Sequence, residues 1–158
     1  MPANEHQETA GHHALRKGRI STANGIYLIT TVTLDRQKWF AGFEAGRAAA
    51  RCMENKAVLG DARMLAWVLM PDHLHALLQL GERDALSVVT NRLKSATARN
   101  ANLALRRTGT VWARAYHDHA LRQEEDLQKI ARYIVANPLR AGLVTRIGDY
   151  PFWNAIWL

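Results

Sequence analysis

The N-terminal half of the chain alternates between strand-like and helix-like patterns of apolar residues. Residues 26–34 are dense in β-branched and aromatic side chains, which predicts a first strand. Apolar residues then recur at helical spacing over residues 40–53, which predicts an amphipathic helix. Asp35 stands before this helix and is expected to cap its N terminus.

Two further apolar runs follow, and a turn signal separates them. Residues 64–70 predict a second strand that stops at Pro71 and Asp72, which favour a turn. Residues 73–80 predict a third strand, which we expect to pair with the second as a hairpin. Over residues 84–105 the apolar positions keep a helical rhythm, which predicts a second amphipathic helix; they are Leu86, Val89, Leu93, Ala96 and Leu103.

The remaining pattern completes a recognisable order of elements. Residues 111–121 predict a fourth strand and residues 124–137 a third helix. The order β-α-β-β-α-β followed by a helix is that of a ferredoxin-like α+β core. We therefore expect an antiparallel sheet with an added C-terminal helix, which carries Tyr133.

The first 19 residues differ from the rest in having no periodicity. They end in the basic cluster Arg16, Lys17 and Arg19, and we expect residues 1–19 to be a mobile basic leader. His12 and His13 fall in this leader, so we interpret them as tail residues and not as ligands. Residues 20–158 contain no visible linker or repeat and predict one domain, as the length of 158 residues also favours.

The charge balance favours an anionic partner. The chain has 21 Lys and Arg against 14 Asp and Glu, a net charge of +7 and a pI near 10.1. Nucleic acid is the commonest anionic partner of such chains, although a basic surface can also simply aid solubility. The single cysteine, Cys52, excludes an intrachain disulfide and fits a reducing compartment. No apolar run approaches the roughly 18 residues of a membrane span, so we expect a cytoplasmic protein without a membrane partner.

Two histidines one residue apart interrupt the apolar third strand. Side chains alternate between the faces of a strand, so His73 and His75 are expected to point the same way while Leu74 turns into the core. Two neutral imidazoles side by side make half of a metal site. The alternative is a half-buried strand whose polar face happens to hold two histidines.

A second pair of polar residues closes the third helix. Residues four apart share a helix face, so the Tyr133 phenol and the Asn137 amide are expected to project together. Pro138 makes Asn137 close to the last helical residue. The alternative is that Tyr133 is an ordinary residue of an amphipathic helix and Asn137 its C-terminal cap.

Three segments together resemble one known family. They are residues 67–75 (Trp-Val-Leu-Met-Pro-Asp-His-Leu-His), 112–122 (Trp-Ala-Arg-Ala-Tyr-His-Asp-His-Ala-Leu-Arg) and 133–144 (Tyr-Ile-Val-Ala-Asn-Pro-Leu-Arg-Ala-Gly-Leu-Val). From about residue 27 to residue 153 the chain resembles the HUH single-tyrosine transposases, and within them the REP-associated tyrosine transposases. Each motif alone is weak, but the order and spacing of His-x-His and Tyr-x-x-x-Asn-Pro are specific.

This resemblance implies a metal-dependent, site-specific endonuclease and strand transferase for single-stranded DNA. In the family a tyrosine attacks a phosphodiester and leaves a 5′-phosphotyrosine link and a free 3′-OH. Carried over by position, Tyr133 is the nucleophile, and His73, His75 and Asn137 are metal ligands. Ligand type alone would suit Zn²⁺, Ni²⁺ or Mn²⁺. The resemblance points to Mg²⁺ or Mn²⁺, of which Mn²⁺ fits nitrogen ligands better, and to short palindromic hairpins as the DNA partner.

The middle segment is expected to support the site or to contact DNA. The residues that match the family pattern there are Trp112, Tyr116, Asp118, His119 and Arg122. His117 and His119 form a rival His-x-His pair, although Asp118 between them is acidic. Trp112 or Tyr116 would stack an unpaired base, unless both are simply buried aromatic residues.

Phosphate contacts are expected from lysine and arginine, because these residues neutralise backbone charge. The candidates are Arg16, Lys17, Arg19, Lys94, Arg99, Arg106, Arg107 and Arg114. Two other functions stay open: a non-catalytic protein that binds DNA or RNA hairpins, and a metal hydrolase that uses bound water. The sequence also leaves open a monomer or a homodimer.

Overall fold

The computed structural model describes residues 21–122 and 125–158, and a five-stranded antiparallel sheet forms its centre. The strands lie in the order β4-β1-β3-β2-β5, so β3 is the middle strand. Their bounds are Ile26–Val32 (β1), Arg63–Met70 (β2), His73–Gln79 (β3), His117–Ala120 (β4) and Trp153–Ala155 (β5).

Helices connect the strands and extend the C-terminal part. They are Phe43–Ala50 (α1), Lys56–Leu59 (α2), Leu86–Leu105 (α3), Leu127–Val135 (α4) and Asn137–Arg140 (α5), with 3-10 turns at Leu34–Arg36 and Ile147–Asp149. The first four strands with α1 and α3 follow the order β-α-β-β-α-β. This confirms the predicted ferredoxin-like α+β core and the predicted hairpin of β2 and β3.

The two faces of the sheet are covered by different helices. Directly paired residues share a face, which places His75 on the same face as Thr30 and Val68. Trp67 points to the other face, where Glu54 at the end of α1 accepts a hydrogen bond from its indole N–H. Since α3 packs on α1, both helices cover the face opposite to the histidines.

Helix α4 lies on the histidine face, where it contacts β2, β3 and β5. Val68 points to this face and is fully buried, as are Ala131 and Ile134 of α4. The helix begins at Asp126, whose side chain accepts a hydrogen bond from the Lys129 N–H. Most of its contacts are with β2, so it covers mainly the β2 side of the histidine face.

The start of the first helix was predicted wrongly. Asp35 does not cap it, because Asp35 and Arg36 both have a φ of 55° and form part of a 3-10 turn. The helix begins only at Phe43, after Gly42 in extended conformation. Left-handed backbone at two consecutive residues that are not glycine is unusual. It turns the Arg36 side chain toward β3.

Two other predictions were wrong, and two elements were missed. The fourth strand spans only residues 117–120, and Trp112 makes an isolated bridge to Thr33 instead of belonging to it. Leu103 was expected in the core of the second amphipathic helix but is 73% exposed. The short helix α2 and the edge strand β5 were not predicted.

The predicted leader lies outside the described residues. The leader with His12, His13, Arg16, Lys17 and Arg19 falls there, so its predicted character and phosphate contacts stay predictions. No helix within residues 21–122 and 125–158 has the length and the hydrophobicity to cross a membrane.

Candidate active site

The histidine pair lies at the start of the middle strand. His73 pairs with Val32 and Met70 on the two neighbouring strands, and His75 with Thr30 and Val68. The two imidazole centroids are 4.9 Å apart with ring planes at 81°. Both rings are half-buried, and the intervening Leu74 is buried in the opposite layer. The prediction that the two histidines share a face is therefore confirmed.

Each histidine is oriented by a hydrogen bond to its Nδ1 atom. The Asp72 carboxylate lies 2.7 Å from the Nδ1 of His73, and the Thr30 hydroxyl 2.8 Å from the Nδ1 of His75. A carboxylate accepts from an imidazole N–H and so fixes the His73 tautomer. The Nε2 atoms are then the nitrogens through which the two rings can bind a metal ion. Thr30 and Asp72 are site residues that the sequence motifs did not single out.

Arg36 completes the support of His73. Its guanidinium Nε lies 3.1 Å from the second carboxylate oxygen of Asp72. Burial alone would raise the pKa of Asp72, but the hydrogen bond and charge of His73 and the charge of Arg36 outweigh it and lower the pKa. Asp72 therefore stays a carboxylate, as its role as an acceptor requires.

The electrostatic environment keeps His75 neutral. Burial, followed by the positive charges of His73, Arg140 and Arg36, lowers the pKa of His75 to about 4. A neutral imidazole is the form that binds metal ions. Near pH 7 a metal ion would therefore not compete with a proton for His75.

Tyr133 is the one tyrosine whose ring faces solvent. It is 66% exposed on α4, whereas Tyr27, Tyr116 and Tyr150 are at most 9% exposed, and all four tyrosines of the chain belong to the described residues. A nucleophile that attacks a macromolecule has to be accessible to it. Among the four phenols only that of Tyr133 meets this condition.

Arg140 contacts Tyr133 at two points. Its guanidinium carbon lies 3.9 Å from the centroid of the Tyr133 ring, and its Nη1 donates to the Tyr133 carbonyl oxygen at 2.7 Å. Its charge also contributes to lowering the pKa of His75. Arg140 was not among the predicted site residues, because the predicted helix ended before Pro138.

Asn137 does not share one continuous helix with Tyr133. Helix α4 ends at Val135, and Asn137 is the first residue of α5, with Pro138 in the first turn. Asn137 lies two residues after the last residue of α4, close to the helix end as predicted, but it begins α5 instead of closing α4. Its half-buried side chain follows the break between the two helices, and its role as a ligand stays a prediction.

The middle segment separates into buried and exposed residues. Trp112 and Tyr116 are buried, and the indole N–H of Trp112 donates to the Thr97 hydroxyl at 2.9 Å. This supports the alternative of buried aromatic residues over base stacking. Asp118 is half-buried, while Arg114 and Arg122 are exposed.

The rival histidine pair lies on the edge strand β4. His117 pairs with Thr30 and therefore points to the same face as His75. His119 lies 3.4 Å from the Glu125 carboxylate, which also accepts the Arg122 backbone N–H. Within residues 21–122 and 125–158, no three His, Cys, Asp or Glu residues are grouped to hold a metal ion. A metal site there or at His73 would consequently need a ligand of another type.

The predicted phosphate contacts do not form one cluster. Lys94 donates to the carbonyl oxygens of Ala113 and Arg114, and Arg107 stacks on Trp39 at 4.0 Å. Arg99 is exposed on α3, the helix that covers the face opposite to the histidines. Arg106 and Arg107 follow α3 close to Thr110 and Val111, which lie beside the end of β1.

The known proteins to which the chain is similar are transposases. A model of the family described as "Transposase IS200 like" matches residues 21–137. The chain is 29% identical over 144 residues to a Haemophilus influenzae protein named "Putative REP-associated tyrosine transposase", covering 83% of this chain and 80% of that protein. It is 30% identical over 88 residues to the Escherichia coli K12 "REP-associated tyrosine transposase", covering 55% of this chain and 50% of that protein.

The fold has a counterpart among solved structures. A REP-associated tyrosine transposase bound to a REP hairpin superimposes with a TM-score of 0.65 at 24% identity, covering 85% of this chain and 79% of that one. These similarities confirm the resemblance that the three sequence motifs indicated.

Proposed function

The chain belongs to the IS200-like transposase family, and from this premise we propose that it cleaves and transfers DNA at REP-type hairpins by using Tyr133 as the nucleophile. Transposases of this family are enzymes that cut and rejoin DNA strands. The observation that carries the proposal is the arrangement of one exposed phenol and two oriented imidazoles on the same side of the sheet, with Arg140 stacked on the phenol ring.

The residues present fit a divalent metal ion. With their Nδ1 atoms engaged by Asp72 and Thr30, His73 and His75 would offer Nε2, and Asn137 its amide oxygen. The donor set carries no negative charge, which suits an ion that also has to bind phosphate oxygens. A bound Mg²⁺ or Mn²⁺ would polarise the scissile phosphate and neutralise the charge that develops on it.

The bond changes follow from a phenol as nucleophile. The Tyr133 oxygen loses its proton to solvent or to a nearby base and forms a bond to phosphorus, while the bond from phosphorus to the 3′ oxygen breaks. The departing 3′ oxygen takes up a proton, so the products are a 5′-phosphotyrosine and a free 3′-OH. Attack by a 3′-OH on the phosphotyrosine reverses these steps and completes strand transfer.

Two observations support a DNA hairpin as the substrate. The REP-associated transposase of similar fold was solved bound to a REP hairpin. The net charge of +7 favours a polyanion, and α4 makes its main contacts with β2, toward the opposite side of the histidine face from β1 and β4. The proposal includes action on bacterial DNA in the cytoplasm.

The proposal can be tested by trapping the covalent intermediate. The protein is incubated with Mn²⁺ and end-labelled oligonucleotides that contain a palindromic hairpin with single-stranded flanks. A DNA adduct that survives denaturing electrophoresis is expected from the wild type. It should be absent from Tyr133→Phe and from reactions with EDTA, and strongly reduced in His73→Ala.

Tyr27→Phe is a matched control, because Tyr27 is buried on the opposite side of the sheet and its loss leaves the exposed phenol unchanged. It should form the adduct at the wild-type rate. Adduct formation by Tyr133→Phe would contradict the assignment of the nucleophile. Hairpin binding without any adduct in the wild type would favour a non-catalytic binding protein.

A further inference from the structure

Arg140 touches the candidate nucleophile through both its ring and its backbone. We propose that Arg140 is the residue that positions Tyr133, by stacking its guanidinium on the phenol ring and holding that ring in one orientation. The proposal rests on the function proposed above, since it concerns the same cleavage step. It adds to that function a residue that positions the nucleophile.

The contact meets the geometric requirements of a stacked pair. The guanidinium carbon is 3.9 Å from the ring centroid, well within the range of about 6 Å over which cation–π attraction acts. Both side chains are exposed, so few other packing contacts restrict the rotamer of Tyr133. The orientation of the Tyr133 ring is therefore set by its stacking with Arg140 and not by burial.

Arg140 lies over the Tyr133 ring because the chain breaks between α4 and α5. Pro138 follows the end of α4, and the short helix α5 turns the chain so that residue 140 returns over Tyr133. The Tyr133 carbonyl belongs to the last turn of α4, whose carbonyl oxygens have no partner further along that helix. Arg140 Nη1 donates to this oxygen at 2.7 Å, so it is anchored to the backbone of the residue whose ring it covers.

The charge of Arg140 links the tyrosine to the histidine pair. It is among the charges that act on His75 on β3. The guanidinium that stacks on the Tyr133 ring therefore also contributes to the electrostatic environment of the His75 imidazole.

The test compares two substitutions of Arg140 with a charge-matched control. Arg140→Lys keeps the charge and a donor for the Tyr133 carbonyl but loses the planar group that stacks, whereas Arg140→Ala loses all three. Arg132→Ala removes an exposed arginine next to Tyr133 on the same helix. The measurements are the single-turnover rate of adduct formation at saturating hairpin DNA and Mn²⁺, and the hairpin Kd.

We expect the adduct rate to fall about 100-fold in Arg140→Ala and nearly as far in Arg140→Lys, because a misplaced nucleophile has a cost of this order. The hairpin Kd should stay close to wild type in both variants, and Arg132→Ala should keep the wild-type rate. A residue that only capped α4 would be replaced by lysine without a change of rate.

A wild-type adduct rate in Arg140→Lys would overturn the inference, as would a loss confined to hairpin affinity. Thermal unfolding of each variant shows whether it is folded, and Arg140→Lys decides the question if Arg140→Ala is not. Tyr133→Phe is measured in parallel. If Tyr133→Phe still forms the adduct, the proposed function is wrong. If Tyr133→Phe forms no adduct but both Arg140 variants react at the wild-type rate, only the inference about Arg140 is wrong.

Discussion

The substitution Asp72→Asn is expected to change the tautomer of His73 while leaving the fold nearly as stable as in the wild type. The Asp72 carboxylate accepts the Nδ1 proton of His73 at 2.7 Å and is itself paired with Arg36. An asparagine at this position has no charge, and its amide group can donate to Nδ1 instead. The proton would then move to Nε2, the atom proposed to bind the metal ion.

The size of the effect follows from these contacts. Loss of a carboxylate that orients a metal-binding histidine typically weakens metal affinity about 10- to 100-fold, which is about 1.4 to 2.8 kcal/mol. The side chain of Arg36 is 57% exposed, so its ion pair with Asp72 contributes at most about 1 kcal/mol to folding. We therefore expect a large change in Mn²⁺ affinity and a small one in the free energy of unfolding.

The assay titrates metal-free protein with Mn²⁺ and follows free Mn²⁺ by electron paramagnetic resonance at pH 7.5. Urea unfolding of the same samples gives the free energy of unfolding. Asp149→Asn is the control, because Asp149 is an exposed carboxylate that pairs with Arg146. If Asp72→Asn binds Mn²⁺ as tightly as Asp149→Asn, the reasoning about the His73 tautomer is refuted.

Two further predictions concern stability. The pKa of His75 is about 4 in the folded chain and about 6.5 in the unfolded chain, so between pH 6.5 and pH 4 only the unfolded chain is protonated at His75. The free energy of unfolding of the metal-free protein should therefore fall by up to about 3 kcal/mol as the pH falls from 6.5 to 4. Urea unfolding across that range should show a smaller loss in His75→Gln, and an equal loss would contradict the assignment. Tyr150→Phe removes the hydroxyl that donates to the buried Leu69 carbonyl and should lower the free energy of unfolding by about 1 to 3 kcal/mol. Its Mn²⁺ affinity should not change, and a parallel loss would show that the C-terminal segment supports the metal site.

The elements that could be predicted from the sequence are those in which burial fixes the order of apolar and polar residues. Strands β1, β2 and β3 follow from apolar runs bounded by turn residues, and the shared face of His73 and His75 follows from strand alternation alone. The segment before β4 has the residue pattern of a strand for a physical reason. Its aromatic residues are buried with only an isolated bridge between Trp112 and Thr33, while Lys94 donates to the carbonyls of Ala113 and Arg114 and Trp112 donates to Thr97.

The supporting residues of the site could not be predicted, since they depend on backbone geometry that residue type does not signal. Arg36 reaches Asp72 only because two consecutive residues adopt a positive φ. Arg140 reaches Tyr133 only because the chain breaks at Pro138 and starts a new helix. Motif spacing identified the groups proposed to react, and tertiary structure was needed to find what orients them.

The position of the histidines on the middle strand ties activity to the pairing register of the sheet. A shift of β3 by one residue would turn both imidazoles into the apolar layer under α1 and α3 and bring Leu74 to the surface of the site. The irregularity of β2 lies between Met64 and Ala66, at the far end from His73 and Met70. Insertions and deletions should consequently be tolerated in the loops at that far end, whereas the hairpin turn at Pro71 and Asp72 has a fixed length.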